Sequence, residues 1–162
     1  VIATTMHYGG KVEDLPELEL CYAPPFSTAK DVTNMAGYVA SNLHSGAFRQ
    51  VRAQQVRELV ASGAYILDVR ETPELEAGVI QGSRSIPMSE LRERVGELPQ
   101  DRPIYVHCRT GQRSYNVVLT LQQLGFTQVY NLAGGFLFLS FYEAFRDKDE
   151  QRKPILTGYN FK

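Results

Sequence analysis

The sequence predicts an α/β fold in which a mostly parallel sheet is covered by helices on both faces. Three observations carry that reading. The runs Tyr65-Ile66-Leu67-Asp68-Val69, Ile104-Tyr105-Val106 and Val129-Tyr130-Asn131-Leu132 have the nearly continuous apolar character of strands buried on both sides. Segments of helical period separate them, and glycine or proline marks the changes from one to the other. The composition, 43% hydrophobic and 22% charged, allows an ordinary soluble core.

Taken in order, residues 1–46 offer two short strand candidates, Val1-Ile2-Ala3 and Leu18-Glu19-Leu20-Cys21-Tyr22, before the break at Ala23-Pro24-Pro25. So short a segment needs a partner surface. Met35 to Leu43 reads as a short helix, and Ser45-Gly46 ends it and begins a linker. Val56, Leu59 and Val60 share one helical face before the stop at Ser62-Gly63. Asp68 and Arg70 fall at the C-terminal end of the next strand, the edge at which open α/β sheets bind ligands. They are expected to brace the site, the alternative being an ordinary surface ion pair. Ser89 can cap a helix whose Leu91, Val95 and Leu98 recur at helical spacing until Pro99. Val117, Leu121 and Leu124 mark a helix stopped by Gly125. The apolar stretch from Phe136 to Phe145 falls well short of the ~20 residues that span a bilayer, so it is expected to be a closing core helix. Residues 146–162 are mostly charged, with Pro154 and Gly158, and are expected to form a loosely held tail.

The stretch Cys108-Arg109-Thr110-Gly111-Gln112-Arg113-Ser114 places a thiol where a strand becomes a helix. The first backbone N–H groups of a helix lack internal partners, and the aligned peptide dipoles add positive potential there, so an anion is the natural guest. Cys108 is therefore the candidate nucleophile, ionising more readily than a free thiol. Arg109 and Arg113 bring permanent positive charge, and no Asp or Glu occurs between Asp101 and Glu143 to oppose it. Thr110, Gly111, Gln112 and Ser114 would let the backbone curl around the sulfur. His107 sits beside the thiol, but successive strand residues point to opposite faces, so a packed, hydrogen-bonded histidine is expected rather than a Cys–His dyad. His7 and His44 are isolated in sequence and suggest no metal site.

Four pieces in one order resemble a rhodanese domain over roughly residues 49–145: Asp68-Val69-Arg70; Glu74-Leu75-Glu76-Ala77-Gly78-Val79-Ile80-Gln81-Gly82-Ser83 with Ile86-Pro87; Val106-His107-Cys108 and its loop; and Ala133-Gly134-Gly135-Phe136. The resemblance implies a three-layer fold with a mostly parallel five-stranded sheet over residues 47–146, and sulfur transfer through a cysteine persulfide. It also implies that Asp68 and Arg70 support the loop. Val79 stands where many members of that family have histidine, and Phe136, Phe138 and Leu139 replace a tryptophan-containing stretch, a change expected at the pocket rim. The run from Leu20 to Asp31, with Asn34-Met35-Ala36-Gly37-Tyr38, resembles the C-terminal end of the dimerisation domain of flavin-dependent pyridine nucleotide-disulfide reductases, particularly the coenzyme A-disulfide reductase group. That second resemblance implies a flavoprotein reductase parent carrying FAD and NAD(P)H, with coenzyme A as a thiol carrier and a homodimer as a further partner. It also raises a substrate-facing role for Tyr22, against which simple packing is the stronger expectation.

No Gly-x-Gly-x-x-Gly opens a helix after a strand, so no cofactor is expected in this chain itself. The net charge of −1 gives no reason to expect nucleic acid, and no segment suits a membrane span. Two cysteines far apart make neither a disulfide framework nor a metal pattern, so a cytoplasmic setting is expected, with Cys21 structural or incidental. The expected partners are small sulfur donors and thiol acceptors. Two other readings stay open: a cysteine phosphatase on the same scaffold, and a non-catalytic interaction module. Phosphatase loops generally follow Cys-x-x-x-x-x-Arg, whereas here Arg113 arrives one residue early and Ser114 holds that position.

Overall fold

The computed structural model describes residues 1–23, 25–26 and 28–161. Pro24 of the expected break and Ser27 of the reductase-like run lie outside the described residues. The chain forms two compact units, Val1–Ala47 and Phe48–Lys162.

In the first unit the expected strands are absent. Ile2–His7 is a helix (α1), Val12–Glu17 is a 3-10 helix, and Leu18 to Tyr22 takes no regular structure. A strand needs a neighbour to receive its backbone groups, and no neighbouring strand occurs among the described residues of this unit. Its order comes instead from the helix α2, Val32–His44, longer at its start than expected because Asp31 caps it by accepting the Thr33 N–H at 2.7 Å. Buried Asn34 donates to the carbonyls of Leu15 and Leu18 at 2.9 and 3.0 Å. Gly37 lets the 3-10 turn approach so closely that a Cβ there would stand 2.6 Å from Leu15 Cβ. Tyr22 is 54% exposed in this chain, and Cys21 is exposed too.

The second unit is a five-stranded, all-parallel sheet in the order β1-β5-β4-β2-β3. The strands are β1 (Arg49–Val51), β2 (Tyr65–Asp68), β3 (Arg84–Ser85), β4 (Ile104–His107) and β5 (Val129–Leu132). The helices are α3 (Ala53–Ala61), α4 (Leu91–Arg94), α5 (Gln112–Gln123) and α6 (Gly135–Asp149). Passing from β1 to β2 through α3 moves one way across the sheet, and passing from β4 to β5 through α5 moves the other. Right-handed crossovers then put α3 and α5 on opposite faces, which produces the three layers. On one face Val56, Ile66, Leu132, Phe136 and Leu139 form the main apolar cluster, while Val117, Val118 and Leu121 bury α5 against β4 and β5. Each such side chain contributes about 1.5–3 kcal/mol by leaving water.

Three expectations need correction. Ser89 does not cap α4: its hydroxyl donates to Glu71 Oε2 at 3.0 Å, and the helical stretch begins at Leu91 and tightens to a 3-10 turn over Val95–Glu97. The aromatic stretch after Gly135 is a core helix on one face only, with Phe136 and Leu139 buried and Phe138, Phe141 and Phe145 exposed. The charged tail is not loose. Ile155 and Leu156 are buried, the Gln81 N–H donates to the Ile155 carbonyl at 2.8 Å, and the Thr157 N–H donates to the Val79 carbonyl at 3.0 Å. Tyr159 donates to Asp147 at 2.9 Å, and Asp147 with Glu143 also binds Arg57 and Arg152. Hidden apolar side chains and paired backbone outweigh the local charge. No helix among the described residues is long and apolar enough to cross a membrane.

Candidate active site

β4 ends at His107, and Cys108 follows it at the C-terminal edge of the sheet, only 1% exposed. The chain then turns on Gly111, whose φ of +100° suits glycine, and enters α5 at Gln112. This turn brings the Gly111 N–H to 3.2 Å from the Cys108 sulfur and the Ser114 hydroxyl to 3.5 Å. Burial by itself pushes the thiol pKa up. The Ser114 hydroxyl and the N–H groups of Ser114, Gly111 and Thr110 together outweigh it and leave the pKa below the ordinary cysteine value. Dipoles that are fixed before any substrate arrives therefore favour the thiolate form of the sulfur.

The carbonyl side of the loop is fixed as firmly. The N–H groups of Phe136 and Leu137, in the first turn of α6, donate to the carbonyls of Cys108 and Arg109, each at 2.9 Å. Asn131 Nδ2 donates to the Gly111 carbonyl at 3.2 Å. In a trans peptide the N–H points opposite to the C=O. Anchoring these three carbonyls outward therefore turns the N–H groups of Arg109, Thr110 and Gln112 the other way. The paired glycines make the approach possible. Gly135 has φ +58°, and a Cβ there would stand 2.6 Å from the Cys108 oxygen and 2.7 Å from the Arg109 oxygen. Two helix starts thus work on one loop, α5 through its N–H groups around the sulfur and α6 through its N–H groups on the carbonyls.

Asp68 and Arg70 lie beneath the loop, both fully buried, which excludes the surface ion pair. Arg70 forks onto Asp68, with Nε 3.0 Å from Oδ1 and Nη2 2.6 Å from Oδ2. Its remaining N–H groups reach the carbonyls of Glu74 at 3.2 Å and Gly78 at 2.8 Å, and its guanidinium lies 4.1 Å from the centre of the Phe136 ring. Arg70 thereby holds the 3-10 helix Thr72–Ala77 against the start of α6. That element carries Glu74, whose two carboxylate oxygens each stand 2.6 Å from the Arg113 guanidinium. The contacts of Arg70 thus reach the loop only through these intermediaries.

Arg113 was expected to face no opposing charge, because the sequence near it holds no acid. The fold supplies one from 39 positions away in Glu74. Glu74 foremost, with the Cys108 sulfur as a lesser partner, holds the guanidinium charge more firmly than usual, and Arg113 in turn holds the Glu74 carboxyl below its ordinary value. His107 is packed as expected, stacked 6.1 Å from Phe136 on the face opposite α5. The expected hydrogen bond is not formed: Nε2 stands 3.6 Å from Asp68 Oδ2. Burial first, against a partial offset from Asp68, holds its pKa below the ordinary value, so it remains a neutral packing group.

Phe136 does not shape a rim. It is buried beneath the loop between Arg70 and His107, whereas Phe138 is 51% exposed. Val79 uses its backbone to pair with Thr157. Glu74, Asn131 and Gly135 are the residues whose roles sequence reasoning missed. Glu74 and the paired glycines stood inside the quoted motifs, while Asn131, the polar residue of a buried strand, was signal enough to ask for a partner. Among the described residues no group of His, Cys, Asp and Glu could hold a metal ion.

Comparison with known proteins fits this geometry. The Rhodanese-like domain family matches residues 52–137. The chain is 45% identical over 73 residues to the uncharacterized protein YqhL of Bacillus subtilis, and spans 45% of its own length and 58% of that protein. It is 35% identical over 101 residues to the thiosulfate sulfurtransferase GlpE of Pseudomonas aeruginosa, covering 62% of this chain and 92% of GlpE. Among solved structures, reduced Bacillus anthracis CoADR-RHD matches with a TM-score of 0.85 at 43% identity, over 90% of this chain and 26% of that one. A NAD-dependent persulfide reductase from A. fulgidus matches with a TM-score of 0.69 at 34% identity, over 83% of this chain and 24% of that one. The chain therefore spans about a quarter of the length of either of these two structures. A buried thiol at a strand-to-helix turn, a parallel sheet of this order and a family match across the whole loop lead to one conclusion: the chain belongs to the rhodanese-like family, whose named relatives here include sulfurtransferases.

Proposed function

We propose that the chain carries sulfane sulfur as a persulfide on Cys108. The observation that supports this best is the sulfur itself, ringed by the Gly111 N–H and the Ser114 hydroxyl at 3.2 and 3.5 Å and held below the ordinary thiol pKa. In the first step the Cys108 thiolate attacks the outer sulfur of a donor. With thiosulfate the S–S bond breaks, sulfite leaves with both electrons of that bond, and Cys108 becomes Cys–S–S⁻. With an organic persulfide the leaving group is the corresponding thiolate. In the second step an acceptor thiolate attacks the outer sulfur of the persulfide, which departs with it as a new persulfide and regenerates the Cys108 thiolate. Both resting states are anions, so one set of fixed donors serves both. Ser114 stands where a phosphatase loop would carry its arginine and aims its hydroxyl at the sulfur from 3.5 Å, which supports sulfur over phosphate.

We further read the chain as part of a flavin-dependent coenzyme A-disulfide, persulfide or polysulfide reductase, supported by its likeness to the two reductases. FAD and NAD(P)H belong to the reductase portion of such a protein, because no Gly-x-Gly-x-x-Gly turn is present here and the turn after β4 is shaped around a sulfur. The test of sulfur carriage is mass spectrometry after incubation with thiosulfate or an organic persulfide. A one-sulfur adduct is expected on Cys108 and none on the Cys108→Ser protein, which should keep the same far-UV circular dichroism. Sulfur uptake and turnover undiminished in Cys108→Ser would overturn the mechanism.

A further inference from the structure

Glu74 takes no part in moving sulfur, yet it is fixed more firmly than a surface carboxylate needs to be. Its two oxygens grip Arg113 at 2.6 Å each, Oε2 also accepts the Glu71 N–H at 3.0 Å, and its backbone carbonyl accepts from buried Arg70 at 3.2 Å. The pair is half-buried, with the Arg113 side chain 35% and the Glu74 side chain 28% exposed, so solvent only partly screens it. Arg113 belongs to the first turn of α5, the helix that opens at the turn closing on the Cys108 sulfur. An arginine so placed would add a full positive charge beside the point where the donor arrives. With Glu74 forked onto it, the pair carries no net charge.

We propose that Glu74 is a specificity-determining residue of the sulfur-transfer site: by neutralising Arg113 it weakens the pull on doubly charged donors such as thiosulfate and favours donors with at most one charge at the reacting sulfur, such as organic persulfides. The proposal rests on sulfur uptake at Cys108. Its physical basis is that Coulomb energy is proportional to the donor's charge. One added unit of charge near the site therefore changes the binding energy of a dianion about twice as much as that of a monoanion, and the fold-change for the dianion is roughly the square of the other. The effect belongs in the attraction of the donor, so it should appear in KM more than in kcat.

The experiment compares thiosulfate with 2-hydroxyethyl hydropersulfide as donors to the wild-type chain, Glu74→Gln and Arg113→Gln. Glutamine can still accept the Glu71 N–H, and the Arg70 contact to the residue 74 carbonyl does not depend on the side chain, so Glu74→Gln should melt within a few degrees of wild type. It is expected to raise kcat/KM for thiosulfate about tenfold and for the persulfide about threefold, and high salt should erase both gains. Arg113→Gln, which leaves the Glu74 charge bare, should depress both donors with the same squared relation. Equal changes for both donors in the two variants, or changes that salt does not touch, would show that Glu74 only supports the loop and would overturn the proposal. If the wild-type chain gains no sulfur on Cys108 from either donor, the sulfur-transfer reading fails and takes this one with it. If Cys108 loads normally and the donor ratio is unmoved by either variant, only the role of Glu74 fails.

Discussion

Two arginine–carboxylate forks flank the short Thr72–Ala77 helix, and they do opposite kinds of work. Arg70 and Asp68 lie beneath the Cys108 loop with 0% and 1% of their side chains exposed, while Arg113 and Glu74 lie at its mouth at 35% and 28%. The chemistry of the two pairs is the same. Burial makes the difference, because a charge left alone out of water is costly whereas a charge left alone near water is not. The lower pair is thus committed to architecture: it holds carbonyls, a ring and the turn that carries Glu74. The upper pair can change without loss of the fold and is therefore available to tune what the site accepts.

The strongest way to break this contrast is Arg70→Met, which leaves Asp68 charged and unpaired in the interior. It should cost about 3–5 kcal/mol of stability, measured by urea unfolding, whereas Glu74→Gln should cost about 1 kcal/mol or less. Comparable losses for the two would erase the distinction. Gly135→Ala tests the foundation from its other side, since the new Cβ would stand 2.6 Å from the Cys108 oxygen on a backbone at φ +58°. A loss of about 1–3 kcal/mol is expected, with sulfur uptake falling further than stability alone explains, although no group around the sulfur is altered. Uptake at the wild-type level in a folded Gly135→Ala protein would show that the carbonyl anchors do not shape the cradle. The smallest change in stability, within about 1 kcal/mol, is expected for Ser114→Ala, which removes one hydrogen bond to the sulfur. Here the readout is the pH profile of Cys108 alkylation. The Ser114 hydroxyl favours the thiolate, so its loss should raise the thiol pKa and move the profile to higher pH; a profile that stays or moves lower would remove Ser114 from the cradle.

Much of the architecture was legible because β2, β4 and β5 are interior strands whose apolar runs advertise burial on both faces. β1 and β3 gave no such signal: they are edge strands of three and two residues, Arg49–Val51 and Arg84–Ser85, half of whose surroundings are solvent. Cys108, Gly111 and Ser114 could be placed from sequence because a strand-to-helix turn is a local event. The Glu74–Arg113 fork could not, since reading charge along the chain sees only neighbours in sequence and this pair closes across 39 positions. The tail misled for a related reason. Ile155 and Leu156 are too short a run to show any period, and the charges around them dominate the local composition. The strand candidates before residue 23 looked adequate in isolation, but a strand exists only where another offers its backbone.

The pairing of residues 155–157 with residues 79–81 carries a consequence for anyone moving this module between proteins. The Gln81 N–H and Val79 carbonyl that receive the tail would, without it, become a bare sheet-like margin beside the apolar side chain of Ile80. Exposed margins of that kind recruit strands from other molecules. A cut made just after α6 would leave every group around Cys108 in place and still bare that margin, so a transplant should carry the chain through Asn160 to keep it covered.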